Sequence, residues 1–350
     1  MLRKKKLQFK VRFLTPAFLG DAFQSGRWRT APFKSLLRQW WRVAYANENN
    51  YTRKDYKEMR REEGLLFGNA WLKDNIGRNL HKKSSVRISL SNWMDGGLKK
   101  LGDKEFKTKH PEVKFPIGGL LYLGYGALIY EKGKGTVLKG LNAIDTNEQY
   151  VLTVSYYEDK GKSLIPETIS LISRFGSVGG RSRNGWGSLY LEGMDDESKK
   201  VLKNNNIPLR EWNKAMELSW PHAIGKDNEG PLIWKIGPGS DWQKIMMEFA
   251  PIKIGLRTQF AFKGKVPEDR HWLSYPVTNH KISKWEKRSL RLPNSLRFKI
   301  RREENGELIG VIFHVPHMPP DEFEPQRENV IRVWRDVHKY LDGKLVRIRG

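Results

Sequence analysis

The chain has 350 residues, carries 64 Lys and Arg against 39 Asp and Glu for a formal net charge of +25, and contains no cysteine. Such an excess points to a polyanionic partner, nucleic acid first, while the missing thiols exclude disulfides and thiolate zinc and fit a reducing compartment. No uninterrupted apolar run approaches the ~20 residues of a membrane-spanning helix, and the length suits two domains, each with its own core.

The first six residues, Met1 to Lys6, are basic but lead into no apolar stretch, so no targeting segment is expected and a cytoplasmic location follows. Leu7 to Phe13 alternates apolar and polar side chains, the period of a half-buried strand. Thr15-Pro16 ends it, and a loop holding Gly20, Asp21, Ser25 and Gly26 comes next. Pro32 stands where a helix would begin; from Phe33 to Tyr45, Leu36, Leu37, Trp40, Trp41 and Ala44 recur at helical spacing. Lys34, Arg38 and Arg42 are four apart, so they stack in one basic row on that helix.

A more polar helix is expected over Lys54 to Glu63, a second strand over Ser85 to Trp93, and an exposed lysine-rich loop over Lys99 to Lys114. The β-branched and aromatic content of Gln149 to Tyr157 predicts a third strand, and Ile165 to Phe175 a short helix. Ser188 to Leu191 is the fourth strand. The order strand, helix, strand, strand, helix, strand is the split βαβ or ferredoxin-like pattern, an α+β fold interrupted by insertions.

Between that helix and the fourth strand lies a glycine-arginine cassette, Ser177 to Ser188. Gly179, Gly180, Gly185 and Gly187 bracket Arg181, Arg183 and Asn184. Glycine permits positive φ and close approach of a ligand backbone, and two guanidiniums present planar forks suited to phosphate oxygens. A glycine-rich hairpin turn with solvated arginines fits the same residues. A nucleotide-triphosphate loop does not: Trp186 and Gly187 stand where Lys and Ser/Thr are required, and a strand follows rather than a helix.

Asp195 to Gly239 reads as a connector with a short helix around Trp212, and Phe249 to Leu256 as the opening of a second strand-rich domain. A hairpin over Leu296 to His314 turns at Asn305-Gly306, and a last helix covers about Gln326 to Leu341. The domains are therefore 1–195, a connector over 196–240, and 241–350.

Four stretches resemble the repeat-associated mysterious proteins (RAMPs) of CRISPR systems: Thr15 to Gly20, Arg29 to Arg42, Tyr122 to Gly126, and Gly179 to Ser188. Within that superfamily the paired-tryptophan helix is similar to the first Cmr subunits of type III-B effector complexes, as are Tyr275-Pro276 and Arg291 to Leu296; Ser35 departs from the glycine expected after the lysine. The resemblance implies tandem ferredoxin-like (RRM-like) domains in a subunit that binds RNA without cutting it. It would sit near the guide RNA 3′ end, beside target RNA and other RAMP subunits, in antiviral defence. It implies no cofactor.

Candidate RNA-binding residues are Arg29, Lys34, Arg38 and Arg42, together with Gly179, Gly180, Arg181, Arg183, Asn184, Gly185 and Gly187. Basic residues interleaved with aromatics serve phosphates and bases together. Trp40 and Trp41, set among leucines, are read as core; Tyr122 and Tyr125 flank glycines, where stacking on bases competes with packing as their role. The first histidine is His81, which removes the early acid-base histidine of RAMP-type guide-processing nucleases. His314 and His317, split by Pro316 and without cysteines, predict no metal site. Asp21 is the one catalytic candidate, placed where target-cutting RAMP subunits carry an aspartate; a turn role is the competing reading.

Overall fold

A computed structural model describes residues 3–51, 55–70, 73, 76–79, 81–102, 105–158, 163–262, 264 and 266–348. The chain divides into two units, Met1–Lys99 with Gly140–Gly180 and Gly187–Pro208, and Lys100–Lys139 with Arg181–Trp186 and Leu209–Gly350.

The first unit is built on β1 (Arg3–Phe13), whose alternation buries Leu7, Phe9, Val11 and Phe13 completely. Helix α1 (Thr30–Glu48) follows, then α2 (Asp55–Phe67), β2 (Arg87–Leu90), β3 (Gln149–Glu158), α3 (Ile165–Phe175) and β4 (Leu189–Gly193). The sheet order is β2-β3-β1-β4, antiparallel throughout, with Leu7 opposite Val154 and Val11 opposite Leu191. Sequence order and burial pattern therefore agree with the expected elements, and the second helix occupies Asp55–Phe67; Lys54 lies outside the described residues. The leucines and tryptophans of α1 are buried as its spacing requires. Trp40 stacks on Phe175 of α3 at 5.6 Å, and Trp41 meets Phe67 of α2 edge-on at 6.0 Å. Each such side chain stabilises the unit by roughly 1.5–3 kcal/mol relative to exposure.

In the second unit β5 (Ile233–Gly239), inside the segment read as connector, leads into α4 (Trp242–Thr258); β6 (Leu296–Arg302), β7 (Leu308–His314), α5 (Arg327–Asp342) and β8 (Val346–Arg347) complete it. The sheet order is β6-β7-β5-β8, again antiparallel. The β6–β7 turn forms at Asn305-Gly306, with Gly306 at φ 88° and its N–H donating to Glu303 O at 2.9 Å. Two small hairpins, Lys107–Thr108 with Ile117–Gly118 and Leu128–Glu131 with Gly135–Leu138, flank a short helix at Gly119–Gly124. The lysine-rich loop thus contains a two-residue strand.

One element differs in kind. Phe249 to Leu256, expected as strand, lies inside α4. The alternation of Ile252, Ile254 and Leu256 mimics a strand, but the buried set Ile245, Met246, Phe249, Ala250 and Ile254 is helical and begins upstream. Asp241 caps the helix by accepting from Lys244 N at 2.9 Å, and tertiary burial holds it through Pro251.

Candidate nucleic-acid interface

The glycines of the cassette make close approaches to protein. In the first unit Val178 N donates to Gly187 O at 2.9 Å, Gly180 N to Phe18 O at 2.9 Å and Gly187 N to Pro16 O at 3.0 Å. Gly179 sits at φ +98°, and a Cβ there would lie 2.7 Å from Phe18 O. Gly187 is crowded by Val178 O in the same way. These glycines let the loop cross β1's outgoing segment and deliver β4. Gly180 is exposed.

Residues Arg181–Trp186 belong to the second unit, where Arg181, Arg183, Asn184, Gly185 and Trp186 are tied down. Asn184 N donates to Arg181 O at 2.8 Å, closing a turn with Arg181 at φ 57°, and Phe298 N of β6 donates to Arg183 O at 3.1 Å. The Asn184 amide bridges two elements: Nδ2 donates to Leu123 O at 2.8 Å, and Oδ1 accepts from Lys253 Nζ of α4. Gly185, at φ +95°, packs on Met246 and Phe249, and Trp186 is buried against Trp242 at 5.7 Å. Within the second unit these contacts hold Arg181–Trp186 in place.

Its two arginines head a cluster of cations. Arg181 is exposed and Arg183 half-buried, and burial holds both guanidiniums below their usual range. Lys253 is buried, its ammonium 5.9 Å from the Phe298 ring; desolvation first, then Arg257 and Arg181, push its pKa well below the usual lysine value. Arg257, one turn along α4, donates to Ser274 Oγ at 3.0 Å, and burial holds it low beside Tyr122 and Arg270. On β6 the Arg297 guanidinium is pushed down to about 9 by burial and by Arg183. Glu112 answers one member, 2.6 Å from Arg270 Nη1. Among the described residues these cations therefore outnumber the carboxylates beside them. The sequence reading missed Lys253 and Arg257, which are one turn apart on a helix but about 13 Å apart along a strand.

The other candidates lie in the first unit, in different surroundings. Arg38 and Arg42 both pair with Glu63 of α2, at 2.8 Å and 2.9 Å. Lys34 is half-buried and its pKa is lowered by desolvation and by Arg38. Arg29 Nη2 donates to Gly20 O, bracing the loop after β1. In that loop Asp21 Oδ1 accepts from Phe23 N at 2.8 Å and Ser25 N at 3.0 Å, the geometry of a turn-forming aspartate. Trp40 and Trp41 are core. In the second unit Tyr122 packs edge-on against His110 at 5.8 Å, whereas Tyr125 is exposed.

His314 is buried between Ser295 Oγ at 3.0 Å and His338 Nε2 at 2.9 Å, and His317 turns Nδ1 to Val315 O at 2.9 Å. Among the described residues no three His, Asp or Glu side chains come together to hold a metal ion, and no helix is long and apolar enough to cross a membrane.

Residues 10–190 match the family model of the RAMP superfamily. No curated protein matches the chain. Among solved structures, Cmr1 from Pyrococcus furiosus is similar at 15% identity over 99% of each chain, with a TM-score of 0.47. A chain of a type III-B Cmr-beta complex bound to cognate target RNA and AMPPnP is similar at 13% identity over 96% of this chain and 100% of that one, with a TM-score of 0.46. A chain of a type IV-B CRISPR complex matches at 12% identity over 55% of this chain and 91% of that one, with a TM-score of 0.31.

Proposed function

The chain belongs to the RAMP superfamily, and from that premise we propose that it is a non-catalytic, RNA-binding subunit of a type III-B CRISPR (Cmr) effector complex. The observation that carries this reading is the set of cations around the cassette, where Arg181 and Arg257 face the buried Lys253 and Arg183 faces Arg297, with Glu112 as the carboxylate beside Arg257 and Arg270. Phosphodiesters supply the missing charge. The exposed Tyr125 ring, within electrostatic reach of Arg181, is available to a base.

Two ferredoxin-like domains in tandem suit this role, and both sheets support them: each follows strand, helix, strand, strand, helix, strand, with α2 added after the first helix of the first unit, and places its first strand inside the sheet. The first would lie within 1–195, and the second would take its first strand from 233–239. The motifs shared with first Cmr subunits favour a position near the guide RNA 3′ end, with guide RNA, target RNA and neighbouring RAMP subunits as partners in the cytoplasm. In this assignment Arg181 and Arg183 grip RNA while Asn184 orients Lys253, Lys34 and Arg29 of the first unit are further contacts, and Arg38 and Arg42 serve chiefly to hold α2.

Titration of labelled single-stranded RNA into the purified chain, and into a guide-loaded complex reconstituted without it, tests the proposal. Salt-dependent RNA binding and incorporation into the complex are expected; a chain that does neither is not such a subunit.

A further inference from the structure

Lys253 is an unusual residue to find in a core. Its side chain is 8% exposed, it lies across Phe298, and its ammonium donates to one neutral acceptor, Asn184 Oδ1. The charged groups facing it are both cations: Arg257 from its own helix and Arg181 from the cassette. Among the described residues no carboxylate pairs with it. A buried ammonium placed for structural reasons acquires an acidic partner, because desolvating an unpaired charge is expensive. Here the sequence spends three cations on one place and holds them there by fixed geometry. Asn184 is locked through Leu123 O at 2.8 Å, Gly185 is seated on Met246 and Phe249, and Arg257 is tethered to Ser274 at 3.0 Å. Arg181 is exposed and Arg257 half-buried, so the ammonium is the inner member of a group whose outer member meets solvent.

We propose that Lys253 is the inner seat of a phosphate site, in which one phosphodiester of the bound RNA strand brings its non-bridging oxygens to Lys253 Nζ and the guanidiniums of Arg181 and Arg257. The inference rests on the RNA-binding reading and extends it from the cassette to α4. An arriving phosphate turns mutual repulsion among the three cations into attraction, and Asn184 Oδ1 keeps the ammonium oriented until then. The site has a signature that a surface lysine lacks. Burial and the two arginines bring the Lys253 pKa well below its usual value, so the amine loses its proton as pH rises toward that lowered value. The phosphate favours the charged form, so RNA binding takes up a proton in that range.

The test uses the full chain and an oligouridylate probe. Lys253→Gln, which keeps a side-chain partner for Asn184, should weaken binding about tenfold, the loss of one charge-assisted hydrogen bond. Lys253→Arg should retain more of the affinity. Wild-type affinity should fall with rising pH, below the usual lysine range, more steeply than that of Lys253→Gln, and calorimetry in two buffers of different ionisation enthalpy should show proton uptake. If Lys253→Gln binds as wild type while the Arg181→Ala, Arg183→Ala double variant is weakened, Lys253 is a core residue only and the cassette reading survives. Wild-type binding by both variants removes the RNA reading as well. Should Lys253→Gln melt early, the wild-type calorimetry decides, and absence of proton uptake overturns the site.

Discussion

Arg42 closes both prongs of its guanidinium on the carboxylate of Glu63: Nη2 lies 2.9 Å from Oε2 and 3.0 Å from Oε1, with Nε 3.2 Å from each. Arg38 Nε adds a further contact to Oε1 at 2.8 Å. The carboxylate is 3% exposed while the arginines are 32% and 38% exposed, so the buried charge is Glu63 and the row on α1 is its counterion. Arg38→Glu should therefore lower the melting temperature, because it sets a second carboxylate against a buried one. Arg42→Ala should cost on the order of 2 kcal/mol, less than the ~3–5 of a fully buried pair because Arg38 remains and both guanidiniums are partly solvated. Urea melts of both variants check this; unchanged midpoints would return the row to RNA binding.

The basic row was legible from i, i+4 spacing, but its partner was not. Glu63 sits in a polar helix that offers no pattern pointing at Arg38, and the pairing exists only after α2 folds onto α1. Strands with strict alternation, such as β1, and turns with diagnostic chemistry, such as Asn305-Gly306, could be read directly. Helix α4 could not, because Pro251 and the Ile252, Ile254, Leu256 alternation outweighed a helical set whose first members lie before Phe249. That misreading also hid Lys253 and Arg257, since residues four apart are neighbours one turn apart on a helix but about 13 Å apart along a strand. The cassette's arginines were visible as chemistry; that its glycines serve contacts with Phe18, Val178 and Met246 required the fold.

Trp40, 1% exposed and stacked on Phe175, should behave as pure core. Trp40→Ala should destabilise the chain by about 3–5 kcal/mol, read as a shift in urea midpoint. A variant of wild-type stability that had lost RNA affinity would instead make the ring a base platform.

For the cassette, Arg181→Ala with Arg183→Ala should weaken single-stranded RNA binding across sequences. The log K against log salt slope should flatten by about 1.4, two contacts at ~0.7 each. Arg183 is the less exposed of the two, so a flattening near half that value in the double variant would assign the phosphate contact to Arg181 alone. An unchanged slope would take both out of the RNA path.

Asp21 spends Oδ1 on two backbone N–H groups, of Phe23 and Ser25. Labelled target RNA incubated with the chain and a divalent metal should stay intact, and Asp21→Ala should loosen the loop without changing that result. Cutting that needs metal and disappears in Asp21→Asn, which keeps an acceptor for the turn, would promote the nuclease alternative.

His222 gives the clearest pH prediction. Its Nδ1 lies 2.6 Å from Trp220 O and its Nε2 2.9 Å from Arg210 Nη1. A carbonyl only accepts and a guanidinium only donates, so Nδ1 carries the proton and Nε2 must be bare. Burial pushes its pKa down to about 3, as it does for His338, and His314 is likewise held well below the usual value, with the His338 ring as a further cause. All three folded values lie below the unfolded value of about 6.5. Above that pH both states are neutral and the stability is fully present; as pH falls through it, the unfolded chain takes up protons that the native core refuses. Stability should then decline by up to about 1.4 kcal/mol per pH unit per histidine, until the folded values near 3 are reached. Urea midpoints measured from pH 7 down to about pH 4 should fall steeply below about 6.5, and less steeply in His222→Gln. A profile flat over that range would show that these rings are protonated in the native fold, and the bare Nε2 facing Arg210 would be wrong.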